Sequence, residues 1–360
     1  MPLPKLMTMN FPATIGKPLV EKSLSRLMTS GILLLISVLS SSLAPAQEFE
    51  PRILYTLSGE QPGSAFGWRI ESLDDVDGDG FRDLIIAEYP PPSSSNVTVI
   101  RVVSGRDGSV LYKLVFHNRN FSGYVVNRFV GIGDIDGDGF GDFVLPLRRK
   151  GEGIEGTYSV TVHSGVDGSL IRTHAEEEIT MVDFRSTGTR PAAIFAFKLG
   201  DLDGDGIPDY ETFEYADIGG VEQIGPGFIW LYSGGDGTLI ARVNFSAFAR
   251  HLSPLNAAGV GDLNGDDVPD LALQFNSENG DIVILSGKVR GTISDLSLSD
   301  PSILYHVRGE RNEGLGFTLN DIGDITGDRV PDILAGNGSG RAGSAVLLSG
   351  SNGTRVWDDS

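Results

Sequence analysis

From about residue 53 onward the chain alternates short apolar runs with loops rich in Gly, Asp, Ser and Pro. The runs Leu84-Ile-Ile-Ala87, Phe143-Val-Leu145, Leu271-Ala-Leu273 and Ile333-Leu-Ala335 each follow an acidic loop. A second set, Val97–Val103, Tyr158–His163, Gly227–Tyr232, Asp281–Leu285 and Ser344–Leu348, precedes a Ser-Gly turn. A third set, Val110–Phe116, Leu239–Phe245 and Ile303–Val307, follows that turn. These runs are β-branched or aromatic and bounded by turn formers, the pattern of strands. No segment sustains a 3.6-residue apolar period with caps, so helices are expected to be scarce. Tyr210-Glu-Thr-Phe-Glu214 is polar for a strand, and Pro146 interrupts the run at Phe143.

Two phrases recur in step. The first is the nonapeptide Asp75-Val-Asp77-Gly-Asp79-Gly-Phe-Arg-Asp83, repeated from Asp134, Asp201, Asp262 and Asp324 at spacings of 59, 67, 61 and 62 residues. The second is Ser104-Gly-Arg-Asp-Gly-Ser109, echoed at Ser164, Ser233, Ser286 and Ser349. A fixed period of this size marks a repeat array. Three or four strands per unit suit either a β-propeller or a string of separate sandwiches. Units this small would be marginal alone, which favours the propeller. The expectation is an all-β propeller of about five blades, with repeats around 66–117, 126–174, 193–245, 255–307 and 314–357. Seven blades would require two that lack the acidic loop. Ile53-Leu-Tyr-Thr-Leu57 resembles Ile303-Leu-Tyr-His-Val307, and as an orphan last strand it is expected to complete the final blade and cover its edge.

Residues 1–46 follow another pattern. Lys5, Lys17, Lys22 and Arg26 precede an apolar run from Gly31, which ends at Ala44-Pro45-Ala46. A basic region, a short apolar core and a small-x-small ending predict a secretory signal peptide cleaved near Ala46. The run is too short to span a bilayer. Residues 47–360 would then be the exported propeller, secreted, periplasmic or held at the cell surface, with no membrane span.

Composition narrows the chemistry. The net charge of −20 and the absence of cysteine argue against a nucleic-acid partner, disulfides and thiol catalysis. The carboxylates concentrate in the loops. In each, positions 1, 3, 5 and 9 offer side-chain oxygens and position 7 a backbone carbonyl, the hard-oxygen set that calcium prefers. These residues are Asp75, Asp77, Asp79, Phe81 and Asp83; Asp134, Asp136, Asp138, Phe140 and Asp142; Asp201, Asp203, Asp205, Ile207 and Asp209. The fourth and fifth loops offer Asp262, Asn264, Asp266, Val268 and Asp270, then Asp324, Thr326, Asp328, Val330 and Asp332. An EF-hand would need Glu at position 12, where Ile86, Leu145, Thr212, Leu273 and Ala335 stand instead. Crowded carboxylates repel one another unless a cation sits among them, so three to five calcium ions are expected. Asn264, Thr326 and Arg329 make the last two loops poorer sites, the fifth the poorest.

These loops resemble the calcium loops of FG-GAP repeats, the blades of the integrin alpha-subunit head. Phe66-Gly67, Gly314-Leu-Gly-Phe317 and Ile333-Leu-Ala-Gly336 look like further phrases of that repeat, and the resemblance runs over residues 52–360. It implies a calcium-bearing propeller that serves as a binding or adhesion module. The resulting expectation is an extracellular scaffold that recognises a protein or glycan through its loops, without catalysis. The alternative is a propeller-type polysaccharide lyase or another extracellular carbohydrate-active enzyme. His117, His163, His174, His251 and His306 share no spacing and are expected at the surface or in turns. Trp68, Trp230 and Trp357 are expected to pack between blades.

Overall fold

The strands follow the apolar runs closely. A computed structural model describes residues 53–89, 97–117, 129–150, 156–174, 190–217, 228–245, 254–275, 277, 279–337 and 343–358. The expected signal peptide lies outside these residues, as does His251. Blade one comprises β1 (Ala65–Ser72), β2 (Leu84–Tyr89), β3 (Val97–Val103) and β4 (Val110–His117). Blade two comprises β5 (Val130–Gly133), β6 (Asp142–Lys150), β7 (Gly156–His163) and β8 (Leu170–His174). Blade three comprises β9 (Arg190–Lys198), β10 (Tyr210–Asp217), β11 (Phe228–Tyr232) and β12 (Leu239–Asn244). Blade four has β13 (Pro254–Gly259), β14 (Leu271–Phe275), β15 (Asp281–Leu285) and β17 (Ile303–Arg308); between the last two, β16 (Gly291–Ile293) crosses to blade three and pairs parallel with β12. Blade five comprises β18 (Leu315–Asp321), β19 (Ile333–Asn337), β20 (Ser344–Leu348) and β21 (Arg355–Asp358). Each blade is an antiparallel meander in chain order. The chain is a five-bladed, all-β propeller, and the described residues hold no helix.

In blades two, three and four the second strand lies between two neighbouring blades, so both its faces are covered. In β14, Leu271, Leu273 and Phe275 pack toward blade three, while Ala272 joins Ile282 and Ile284 in packing toward blade five. The same alternation builds buried apolar clusters between blades one and two, two and three, three and four, and four and five. Pro146 does not end its strand: β6 runs through it, with Pro146 opposite Val160. The polar run at Tyr210 is also a strand, β10, where Tyr210 and Phe213 are wholly buried.

One topological expectation is overturned. Blade five has an outer strand of its own, β21, hydrogen-bonded to β20, so Ile53–Leu57 does not complete it. Residues 53–57 instead lie against blade one, where the Tyr55 hydroxyl donates to the carbonyl of Gly105 at 3.1 Å.

Two histidines and one tryptophan also depart from expectation. His163 and His174 are buried, and burial pushes the His174 imidazole down to about 4. His174 stacks on Tyr232 with ring centroids 4.1 Å apart and hydrogen-bonds the Tyr210 hydroxyl, so it is part of the core. Trp230 packs between blades two and three as expected, whereas Trp68 is exposed.

Candidate metal centres

Each acidic loop is a tight coil wound on its first aspartate. The Asp75 carboxylate accepts hydrogen bonds from the amides of Gly78 at 2.7 Å, Asp79 at 3.1 Å and Gly80 at 2.8 Å. Asp134, Asp201, Asp262 and Asp324 hold the amides of positions 4 and 6 in the same way. The coil requires positive φ at position 6, which glycine adopts freely in the first three loops, at 87°, 93° and 88°. Asp267 and Arg329 are forced into the same left-handed region at 66° and 73°.

The ninth residue locks the loop to its neighbour. Asp83, Asp142, Asp209, Asp270 and Asp332 are wholly buried. One carboxylate oxygen of Asp142 accepts from Ile135 N at 2.9 Å and the other from Gly165 N at 2.9 Å, which ties the acidic loop to the Ser-Gly turn. Asp83 does the same with Val76 and Gly105, Asp209 with Leu202 and Gly234, Asp270 with Leu263 and Gly287, and Asp332 with Ile325 and Gly350. A Cβ on Gly105, Gly165 or Gly287 would stand 1.8 Å from the carbonyl oxygen of position 8, so only glycine fits. That contact is why the two sequence phrases keep step.

Carboxylates converge in three loops. In each of the trios Asp75/Asp77/Asp83, Asp134/Asp136/Asp142 and Asp201/Asp203/Asp209, one oxygen per residue lies within 4.8 Å of the others. The fifth position lies outside these trios: Asp79, Asp138 and Asp205 accept instead from the amides of Phe81, Phe140 and Ile207 at 2.8 to 2.9 Å. In the fourth loop Asn264 donates to Asp270 at 3.4 Å, and in the fifth Thr326 Oγ1 donates to Asp332 at 3.3 Å. A donor thus stands where the other loops have a second acid. Lys288 Nζ also donates to the Asp266 carbonyl at 2.9 Å, placing a cation beside the fourth loop. Val268 and Val330 donate their amides to Asp266 and Asp328 in the common pattern.

Electrostatics sets the fifth loop apart from the second, third and fourth. Burial, with Asp136 and Asp138 beside it, pushes Asp142 up to about 6 against its two amide hydrogen bonds. Burial likewise raises Asp209 and Asp270 to about 6. Burial also acts upward on Asp332, but hydrogen bonds from Thr326, Gly350 and Ile325 outweigh it and hold that carboxyl below its ordinary value. The first three loops therefore offer oxygen-only, acid-dense donor sets that fit a hard divalent cation, with no His or Cys to favour zinc.

A second feature is a cavity of 450 Å³ lined by residues of all five inner strands, β1, β5, β9, β13 and β18. Its polar lining residues are Glu71, Lys198, Asn320 and Asp321, and its apolar ones include Phe129, Phe197 and Leu319. No motif in the sequence marked these positions, because each repeat contributes a different residue.

No family model matches the chain. Integrin alpha-V of Gallus gallus is 26% identical over 221 residues, which is 58% of this chain and 19% of the relative. Integrin alpha-7 of Homo sapiens is 26% identical over 172 residues, 45% of this chain and 13% of the relative. The chain is weakly homologous to integrin alpha chains. It spans less than a fifth of the length of either relative. Among solved structures, rhamnogalacturonan lyase YesW is similar with a TM-score of 0.46 and 18% identity, covering 80% of this chain and 56% of that one. A Bacillus licheniformis rhamnogalacturonan lyase is similar at 0.47 and 15%, covering 83% and 60%. The V. cholerae biofilm matrix protein Bap1 is similar at 0.31 and 18%, covering 74% and 44%. These likenesses concern the fold. The expectation that the chain lacks catalysis is nonetheless withdrawn, since two of the propellers it resembles are lyases.

Proposed function

We propose that the chain is an exported binding scaffold whose first three acidic loops each hold a calcium ion and which recognises a protein or glycan through its blade-connecting loops. The observation that carries the reading is the carboxylate trio, present in three loops and joined through its buried ninth residue to the Ser-Gly turn. Positions 1, 3 and 9 would supply carboxylate oxygens, and position 5 and the position-7 carbonyl would complete the set. The ion would neutralise the acids that burial leaves uncompensated, and so fasten the two turns at one end of each blade. The fourth and fifth loops, with Asn264, Thr326, Lys288 and Arg329 at or beside them, would bind more weakly.

Two measurements test this. Calorimetric titration of residues 47–360 with calcium should show about three sites tighter than the rest, and an unchanged melt in EDTA would remove the metal from the reading. A glycan array and a pull-down, each run in millimolar calcium, should return a ligand that is lost in EDTA. A second reading, a propeller-type polysaccharide lyase, draws on the central cavity, where Lys198 stands among Glu71, Asn320 and Asp321. It expects unsaturated uronate products from an acidic polysaccharide, abolished by Lys198→Ala.

A further inference from the structure

At position 3 the fourth acidic loop differs from the first three by one atom, an amide nitrogen in place of a carboxylate oxygen. Asp262, Asn264 and Asp270 are partly buried, exposed and wholly buried, the same order as in the trios of the first three loops. The fifth loop departs from that order, because Asp324 and Thr326 are both exposed. Asn264 Nδ2 donates to Asp270 Oδ1 at 3.4 Å, so a donor stands where the other loops bring a carboxylate oxygen close to position 9.

Asn264 is followed by Gly265, and a glycine in that place leaves the main-chain nitrogen least hindered for attack on the side-chain amide. The chain has four such pairs, at Asn264, Asn279, Asn337 and Asn352. Three of these asparagines are held. Asn279 Oδ1 accepts from Asn312 N at 3.1 Å, and the buried Gly280 donates its amide to Ser277 O at 3.1 Å. Asn352 Oδ1 accepts from Thr354 N at 2.9 Å, and Gly353, buried against Tyr305, donates to Ser349 O at 2.7 Å. Asn337 bonds Ser344 with both ends of its amide. At the fourth pair both Asn264 and Gly265 are exposed, and nothing lies within 4 Å of a Cβ built on Gly265. In the first three loops the position-3 Oδ1 accepts the position-5 amide at 3.1 Å, whereas the Asp266 amide donates to Asp262 at 3.0 Å and leaves the Asn264 carbonyl without that hold. Gly265 N also donates to Asp262 Oδ1 at 2.7 Å, so the proton that ring closure must remove already faces a carboxylate.

We infer that Asn264 is a self-deamidation site whose product completes the fourth acidic loop as a calcium site matching the first three. The inference rests on the calcium reading proposed above. Gly265 N bonds to Asn264 Cγ, its proton passes to the Asp262 carboxylate and on to the departing nitrogen, and ammonia leaves a succinimide ring. Water then adds at Cγ, the new Cγ–N bond breaks, and the main chain is restored with an aspartate at position 3. The exchange turns a donor facing Asp270 into an acceptor and adds one negative charge, which opposes Asp270 until a cation sits between them. Calcium affinity rises with the charge of the ligand set.

The test incubates freshly purified residues 47–360 at neutral pH in EDTA and follows peptide masses over days. The amide-to-acid mass gain should appear at Asn264 about tenfold faster than at Asn279 or Asn352, whose glycines are buried, and should be absent from that peptide in Asn264→Gln. An isoaspartyl methyltransferase assay should find aspartate as the main product. Asn264→Asp, the product made directly, should bind calcium at the fourth loop about tenfold more tightly than the unmodified chain in a calorimetric titration. Deamidation no faster at Asn264 than at the other two, or isoaspartate as the main product, overturns the inference. Calcium bound by the first three loops but no tighter at the fourth in Asn264→Asp overturns it alone, whereas calcium bound by no loop overturns it together with the reading on which it rests.

Discussion

Arg329 carries two costs at once: a left-handed backbone angle of 73° without glycine's freedom, and a guanidinium beside an acidic loop. Left-handed strain in a non-glycine residue costs about 1–2 kcal/mol, and the extra chain entropy of glycine returns about 0.5–1 kcal/mol of that. Arg329→Gly should therefore stabilise the fold slightly, by up to about 1 kcal/mol, and tighten calcium binding at the fifth loop, both readable in one melting series with and without calcium. Loss of stability would show that the Arg329 side chain makes a contact worth more than the strain. The opposite substitution belongs to the Ser-Gly turn. Gly165→Ala would drive a methyl to 1.8 Å from Gly141 O, so it should cost about 3 kcal/mol or prevent folding, whereas Gly139→Ala, with open space around its Cβ, pays backbone strain alone. The sequence showed that Ser-Gly recurs in step with the acidic loop. It did not show why, because the reason is a through-space contact between position 8 and a turn some twenty residues away.

At the level of the loop as an element, a proton and the proposed cation would compete for the same carboxylates. Asp142, Asp209 and Asp270 have folded values near 6, above the ordinary carboxylate value. A raised folded value means that the metal-free fold binds its proton more tightly than the unfolded chain does. The stability this contributes is present below about pH 4 and is lost as the pH rises through about 6. Calcium needs the deprotonated carboxylates, so its stabilising increment should grow between pH 5 and pH 7. At 1 mM calcium and site affinities of about 0.1–1 mM, each site contributes roughly 0.4–1.4 kcal/mol, so three sites raise the midpoint by about 3–8 °C. An increment independent of pH would show that the buried ninth residue is not a ligand. Within a loop the positions should differ as well. Asp142→Ala strips the amides of Ile135 and Gly165 of their acceptor and should cost about 2–4 kcal/mol even in EDTA. Asp136→Ala removes a carboxylate that nearby acids oppose, so its cost should appear only in calcium. The acids at positions 1, 3 and 9, which converge in the first three loops, were among those the spacing marked. The structural task of position 9 and the inward donors Asn264 and Thr326 were not, because both depend on which oxygen faces which amide.

On the scale of the whole molecule, stability should follow the order of the blades. Each inter-blade core couples two neighbours, as in other repeat arrays where stability is a sum of units and nearest-neighbour interfaces. Blades two, three and four pack on both sides, while blades one and five each contribute to a single buried apolar cluster among the described residues. The repeat period made the blade count legible, since it depends only on counting phrases. The state of the seam was not legible, because the similarity of Ile53–Leu57 to Ile303–Val307 identifies the kind of strand and not the blade it serves. In native-state hydrogen exchange, β14 and β15 should open only with global unfolding, whereas β19 and β20 should open at a lower free energy. Leu273→Ala, deep in the cluster between blades three and four, should cost about 3–5 kcal/mol and lower the protection of the whole chain. Leu334→Ala, half-buried on the far face of blade five, should cost about 1 kcal/mol or less. Its effect should be confined to β19, β20 and β21. A ring sealed between blades five and one would behave otherwise: exchange in β19 would match that in β14, and Leu334→Ala would cost as much as its counterpart Ile85→Ala, whose side chain is wholly buried between blades one and two.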